Sequence, residues 1–195
     1  ADCFAANARR SSLTAEMRAT IEPLLATLEA LEPQLAKVEK RLTELSAEEP
    51  VVNQLMTAPG VGPIVAASFV SVIDDAKRFR SAHQVESYLG LVPGENTTGG
   101  KRRLGAITKQ GNTYLRTVLT QSAWSILRVA HPDDPLRRWT QAVAKRRGQR
   151  IAVIALARRL AGVLWAMWRD GTVYDRAFAA QSGARYLGHF PLHQF

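Results

Sequence analysis

Leu55-Met56-Thr57-Ala58-Pro59-Gly60-Val61-Gly62-Pro63-Ile64-Val65-Ala66-Ala67 is the stretch on which the fold turns. Two glycines flank a single apolar residue between apolar runs, and Pro63 suits the first turn of a helix because no amide hydrogen is needed there. The pattern predicts two short helices joined by a tight glycine turn. Gly60 and Gly62 allow close backbone approach, and the amides opening the second helix can receive a phosphate oxygen.

Upstream, Met17, Ile21, Leu24, Leu28, Leu31, Leu35, Val38, Leu42 and Leu45 are spaced alternately four and three apart, which is a heptad seam. Residues 1–50 are therefore expected to form a coiled-coil arm ended by Glu48-Glu49-Pro50. Pro23 and Pro33 interrupt the pattern and predict kinks or a broken helix. The seam suits pairing with another chain or folding back on itself.

Downstream, no strand-length alternation persists, and helices are predicted at about 63–74, 81–89, 112–130, 136–146 and 150–169. Ser81 with Gln84 forms a capping box, and Asn112 caps the third of these helices. Ile151, Ile154, Leu160, Leu164, Trp165 and Trp168 give the last one a wide apolar face. The fold class is mainly α, with the arm followed by a helical domain over 51–182 and a tail at 183–195. No apolar run approaches the ~18 uncharged residues that a membrane span needs.

The chain has 195 residues, a formal charge of +9 and one cysteine, Cys3, so it holds no internal disulfide. Residues 1–50 carry six Lys/Arg against nine Asp/Glu, a balance of −3. Residues 51–195 carry twenty against eight, a balance of +12. A basic block beside an acidic arm points to a polyanion partner, because counterion release from a phosphate backbone drives association. A merely basic domain is the plainer alternative. The first residue is Ala, and Ala1 to Ser12 lacks the apolar core of a signal peptide, which leads us to expect a fragment of something longer.

Two motifs fit the charge. The Gly60/Gly62 turn resembles the helix-hairpin-helix of DNA binders that read no sequence, although an ordinary helix–helix turn has the same spacing. In Gly94-Glu95-Asn96-Thr97-Thr98-Gly99-Gly100-Lys101-Arg102-Arg103, two hydroxyls precede three cations, and Lys109 and the helix start at Asn112 follow. A P-loop is excluded because Lys101 falls one position late and Arg102 replaces the required Ser or Thr. A hydroxyl attacking a phosphodiester needs donors and positive charge where negative charge develops, and these cations can supply both. Spacing alone favours the plainer reading, a solvated basic loop that only touches phosphate.

Ala58-Pro59-Gly60-Val61-Gly62-Pro63, then Tyr88-Leu89-Gly90-Leu91-Val92-Pro93, Gly99-Gly100-Lys101, Gly105-x-Ile107-Thr108-Lys109-x-Gly111-Asn112 and Leu115-Arg116 occur in that order. Together they resemble the IS-one-ten (also IS-one-sixteen) insertion-sequence transposases, relatives of the Piv DNA invertase, over roughly residues 55–128. The resemblance implies DNA cleavage and rejoining through a covalent protein–DNA phosphate ester, guided by a structured bridge RNA and needing no nucleotide cofactor. It puts Thr98 at the nucleophile position, where family members carry serine, with Thr97 as the alternative. Threonine keeps the hydroxyl, but its methyl crowds attack.

The resemblance also implies an N-terminal RNase-H-like domain holding Mg2+ on four acidic residues, which nothing before the heptads represents. The expected phosphate contacts are Gly60, Gly62, Lys101, Arg102, Arg103, Lys109, Asn112, Arg116, Lys145, Arg146 and Arg147. The expected partners are DNA, guide RNA and further copies of the chain through the arm, with no membrane. The expected location is the cytoplasm, associated with the nucleoid.

Other residues take simpler readings. His189 and His193 flank Pro191 with no further ligand nearby, so no metal site is expected. Asp133-Asp134 between two prolines is a turn. Arg158-Arg159 suits either a phosphate track or a solvated face. Most of the four tryptophans are expected in the core, and Ser122 is a weaker candidate nucleophile.

Overall fold

The chain begins with helix α1 (Asp2–Arg10), and Thr14 then caps the long helix α2 (Ala15–Ala47) by accepting from the Met17 amide at 3.3 Å. The structure is a computed structural model that describes residues 2–95 and 104–175. These residues fall into two units, divided between Glu48 and Glu49.

In the first unit, Arg9 of α1 reaches two glutamates of α2. Its guanidinium lies 2.8 Å from Glu22 and 2.5 Å from Glu29. Seven residues apart, these carboxylates lie on one side of the helix. The hydrogen bond from Arg9 holds the Glu29 carboxyl below the usual glutamate range, and the two glutamates raise the Arg9 value. Of the kinks or breaks expected at the prolines, no break occurs, since α2 runs uninterrupted through Pro23 and Pro33. Each proline removes a single helical bond, and the residues four positions earlier, Ala19 and Glu29, are exposed, so water can satisfy their carbonyls. Met17, Leu24, Leu31, Leu35, Val38 and Leu45 of the seam are exposed. Leu25, outside the seam, is buried.

The second unit is built around its last helix. Its elements are α3 (Pro50–Leu55), α4 (Pro63–Ile73), a 3-10 turn (Ala76–Arg78), α5 (Ala82–Tyr88), β1 (Pro93–Glu95), β2 (Leu104–Ile107), α6 (Thr113–Val129), α7 (Pro135–Arg147) and α8 (Gln149–Asp170). The expected helices are present with ends shifted by a residue or two. The α3–α4 turn forms as the glycine pattern predicts.

Helix α8 packs against α3, α5, α6, α7 and the 3-10 turn, burying Leu156, Leu160, Leu164 and Trp165. Facing them are Phe69, Ile73, Leu115, Leu119, Ile126 and Leu136, all fully buried. Each such side chain contributes roughly 1.5–3 kcal/mol of transfer free energy. The Trp165 indole donates to the Ala76 carbonyl at 2.9 Å, so its polar edge is satisfied inside the core. By length and composition α8 is apolar enough to cross a bilayer, but 72% of its apolar window is buried within the chain. Trp139 and Trp168 also pack on this core, while Trp124 is partly exposed.

The two strands depart from the expected helical pattern. β1 and β2 pair antiparallel, Pro93 with Ile107 and Glu95 with Leu104, with a register irregularity between the pairs. Thr108 donates to the Val92 carbonyl at 2.9 Å and Lys109 to the Gly90 carbonyl at 3.0 Å, extending the stem beyond the strands. Strands of three and four residues containing Gly94 and Gly105 are too short to show alternation. The tail over 183–195 lies outside the described residues.

Candidate nucleic-acid interface

The stem of this hairpin is held by two glycines that face each other's backbones. At Gly90, with φ +67°, a Cβ would stand 1.9 Å from the Gln110 carbonyl oxygen. At Gly111, with φ +100°, it would stand 2.1 Å from the Tyr88 oxygen. No other residue type allows both the left-handed conformation and the approach. Sequence blocks 88–93 and 105–112, separate in the chain, thus form one contact. Arg116 locks it from α6, with Nη1 donating to the Leu89 carbonyl at 3.0 Å and Nη2 to the Thr113 hydroxyl at 3.1 Å. Asn112 accepts from the Leu115 amide at 2.8 Å and so caps α6. Lys109, with φ +57°, is exposed at the same turn.

Thr97, Thr98, Lys101, Arg102 and Arg103 lie outside the described residues. They belong to the segment that joins β1 to β2.

Across from the stem is the corner between α7 and α8. Lys145, Arg146 and Arg147 end α7, Gly148 turns the chain with φ +86°, and Arg150 opens α8. All four cations are exposed. The stem and the corner enclose a cavity of about 530 Å³. Pro93, Gly105, Ala106 and Ile107 line it from the stem, and Arg147, Arg150, Ile151, Ile154, Ala155 and Arg158 from the corner and α8. The structure thus brings Arg147 beside the residues flanking 96–103, which no spacing in the sequence announces.

Arg158 at the cavity wall is only 6% exposed, and its Nε lies 2.6 Å from the Glu86 carboxylate of α5. His83 Nδ1 is 3.5 Å from the same carboxylate. Arg159 stacks over the Trp139 ring at 4.8 Å. Burial pushes its pKa below the ordinary arginine value, while Tyr174 and Asp134 oppose the shift. Neither arginine is on a solvated face, which corrects that reading. The sequence signal for the buried pair is faint, a glutamate on α5 and an arginine on an otherwise apolar α8 face.

The α3–α4 turn is held for packing. A Cβ on Gly60, with φ +71°, would be 2.8 Å from both Ile126 Cγ1 and the Ser122 carbonyl oxygen. Gly60 lets the turn rest on α6. Gly62 is the N-cap residue of α4, and a Cβ there would meet nothing within 4 Å. Ser122 is buried, so its hydroxyl is remote from any solvent-borne phosphodiester. Asp134 is not a free turn residue. It is buried, caps α7 by accepting from the Leu136 amide at 2.9 Å, and accepts from the Tyr174 hydroxyl at 2.9 Å. Among the described residues, no group of three or more His, Cys, Asp or Glu is arranged to hold a metal ion.

Comparison with known proteins agrees with the ordered motifs. Residues 52–138 match the family described as Transposase IS116/IS110/IS902. A probable family 20 transposase of Pseudomonas aeruginosa is 36% identical over 163 residues, covering 83% of this chain and 48% of that protein. The transposase for insertion sequence element IS1111A of Coxiella burnetii is 31% identical over 156 residues, covering 80% of this chain and 43% of that protein. An uncharacterised 44.8 kDa protein of insertion element IS116 from Streptomyces clavuligerus is 28% identical over 181 residues, 89% of this chain and 43% of that protein. The chain spans less than half the length of each of these relatives.

Proposed function

The chain belongs, through residues 52–138, to the IS116/IS110/IS902 transposase family, and from that premise we propose that it is the strand-joining, nucleic-acid-binding part of a DNA transposase. The observation that carries this reading is the hairpin stem set against the basic α7–α8 corner. The segment bearing Thr97 and Thr98 leaves and returns through a stem fixed by Gly90, Gly111 and Arg116. Lys145, Arg146, Arg147 and Arg150 stand across the cavity where a phosphate backbone would run.

The proposed chemistry is a phosphoryl transfer. The Thr98 hydroxyl gives up its proton as its oxygen bonds to phosphorus, a backbone P–O bond breaks, and the leaving oxygen takes up a proton. The protein–DNA ester keeps the bond energy for rejoining, so no nucleotide cofactor is consumed. Lys101, Arg102, Arg103 and Lys109 are assigned to the charge that develops on the phosphate. Arg116 and Asn112 act through the scaffold, since both already bond within the turn. Mg2+ is assigned to an RNase-H-like domain outside these residues, and guide RNA to the assembled protein. Self-association is assigned to the exposed seam of α2. The cytoplasm, at the nucleoid, is the proposed place of action.

A second reading is a binding module that does not cut, favoured by threonine at a position where the resemblance implies serine. The test that separates the two uses a protein containing this chain together with the acidic domain, its guide RNA and target DNA. A covalent adduct lost in Thr98→Ala supports the transposase reading, and an adduct that persists in Thr98→Ala refutes this nucleophile. Both readings require salt-sensitive DNA binding by the 195-residue chain. Replacing Lys145, Arg146 and Arg147 with alanine should lower the log–log salt slope by about 0.9 for each phosphate that is no longer neutralised.

A further inference from the structure

We propose that the cavity between the hairpin stem and the start of α8 receives one unpaired nucleotide of single-stranded DNA, its base against the apolar floor and its phosphate at the mouth. The inference rests on the transposase reading for its choice of DNA, and on the cavity itself for the rest.

The walls favour a flat apolar body carrying an anion. Leu91, Pro93, Ile107, Ile154 and Ala155 supply carbon surface, and the volume of about 530 Å³ exceeds what one base occupies. Ile151 at the same site is 51% exposed, an apolar side chain left in water between cations unless something covers it. Among the described residues that line the cavity, none is acidic. Arg147 and Arg150 are exposed there, while Arg158 is held by Glu86, so the unneutralised charge lies at the mouth.

The start of α8 adds a second feature. This 22-residue helix begins at Gly148 with no side-chain cap, so the amides of its first turn lack an intrahelical acceptor. Such amides favour a phosphate oxygen. Arg150 and Ile151 belong both to that first turn and to the cavity lining, so phosphate and base sites adjoin. A duplex can offer only its phosphates here, because its bases are stacked and paired. An unpaired strand can offer both groups of one nucleotide.

The experiment measures binding of the full 195-residue chain to a single-stranded DNA oligonucleotide carrying one 2-aminopurine, to its duplex, and to an RNA of the same sequence. Affinity is read by anisotropy, and unstacking by 2-aminopurine fluorescence. Burying roughly 60 Å² of base surface is worth about tenfold in affinity, so single-stranded DNA should bind about tenfold more tightly than duplex. Its 2-aminopurine emission should change on binding.

Ile151→Asp and Ile151→Lys, at an exposed position that keeps the fold, should both remove the single-strand preference. The lysine variant should at the same time bind duplex at least as well as the original chain. Single-strand affinity rising with duplex affinity in Ile151→Lys would mean attraction by charge alone and would overturn the proposal. So would RNA bound more tightly than single-stranded DNA. Duplex binding with ordinary salt dependence and no single-strand preference refutes the base site while leaving the transposase reading intact. No binding of any form at low salt refutes both.

Discussion

Replacing Gly90 with alanine should separate the hairpin stem from the helical core. Two costs combine. The residue sits at φ +67°, a conformation that costs an L side chain about 1–2 kcal/mol. The new Cβ would also stand 1.9 Å from the Gln110 carbonyl oxygen and 2.5 Å from its nitrogen, so two backbones must part by more than an ångström. That movement breaks the bond from Lys109 to the Gly90 carbonyl and strains the one from Arg116 to Leu89, each worth about 1 kcal/mol. The sum is about 3–4 kcal/mol, against a typical domain stability of about 5–15.

Gly171→Ala is the control, because its φ is +66° yet nothing lies within 4 Å of the new Cβ. It should cost only the conformational part, about 1 kcal/mol. Urea unfolding followed by tryptophan fluorescence reads the second unit alone, since all four tryptophans lie at or beyond residue 124. With a slope of about 2 kcal/mol per molar, the midpoint should fall by about 1.5–2 M for Gly90→Ala and about 0.5 M for Gly171→Ala. Equal shifts for the two variants would show that the close approach carries no energy, and the account of the stem would be wrong.

Three further outcomes are expected. Glu86→Gln should cost about 3–5 kcal/mol, because Arg158 is buried beside it, whereas the double change Glu86→Leu with Arg158→Met should recover most of that loss in thermal melts. Asp134→Ala should cost about 2 kcal/mol by removing both the α7 cap and the acceptor for Tyr174, and Asp134→Asn should retain most of the cap energy in the same melts. The α1–α2 clasp should weaken in acid: the folded Glu29 value is depressed, so its contribution is full above the ordinary glutamate pKa of about 4.3 and is lost as pH falls through the folded value. Helicity of α1 measured by NMR shifts should follow that direction in the original chain and lose the dependence in Arg9→Ala.

The helices of the second unit are legible because their signals are local. Pro63, Ser81, Asn112 and the periodic apolar face of 150–169 mark starts and buried sides without reference to any other segment. The contacts that build the candidate interface are of another kind. Gly90 and Gly111 are 21 positions apart and Glu86 and Arg158 are 72 apart, so their meaning appears only when the backbone brings them together. The short hairpin is hidden for the same reason, since pairing defines it and alternation does not. In α2 the imbalance runs the other way: the local penalty at Pro23 and Pro33 is outweighed by the many helical bonds on either side. The ordered motifs around the hairpin are specific enough to find the family, because close backbone packing leaves glycine few substitutes.

The place of α8 in the core bears on how the protein is made. It is the last described helix, yet α3, α5, α6 and α7 all bury their apolar faces against it. A ribosome adding about 5–20 residues per second needs about 5–20 s to travel the ~100 residues from α3 to α8. During that interval α3, α4 and α6 can pack on one another, but the apolar faces of α3, α5, α6 and α7 that meet α8 have no mate on the nascent chain. Their shelter must come from transient collapse or from a holding chaperone, and stalling ahead of residue 149 would leave a sticky, unfinished polypeptide.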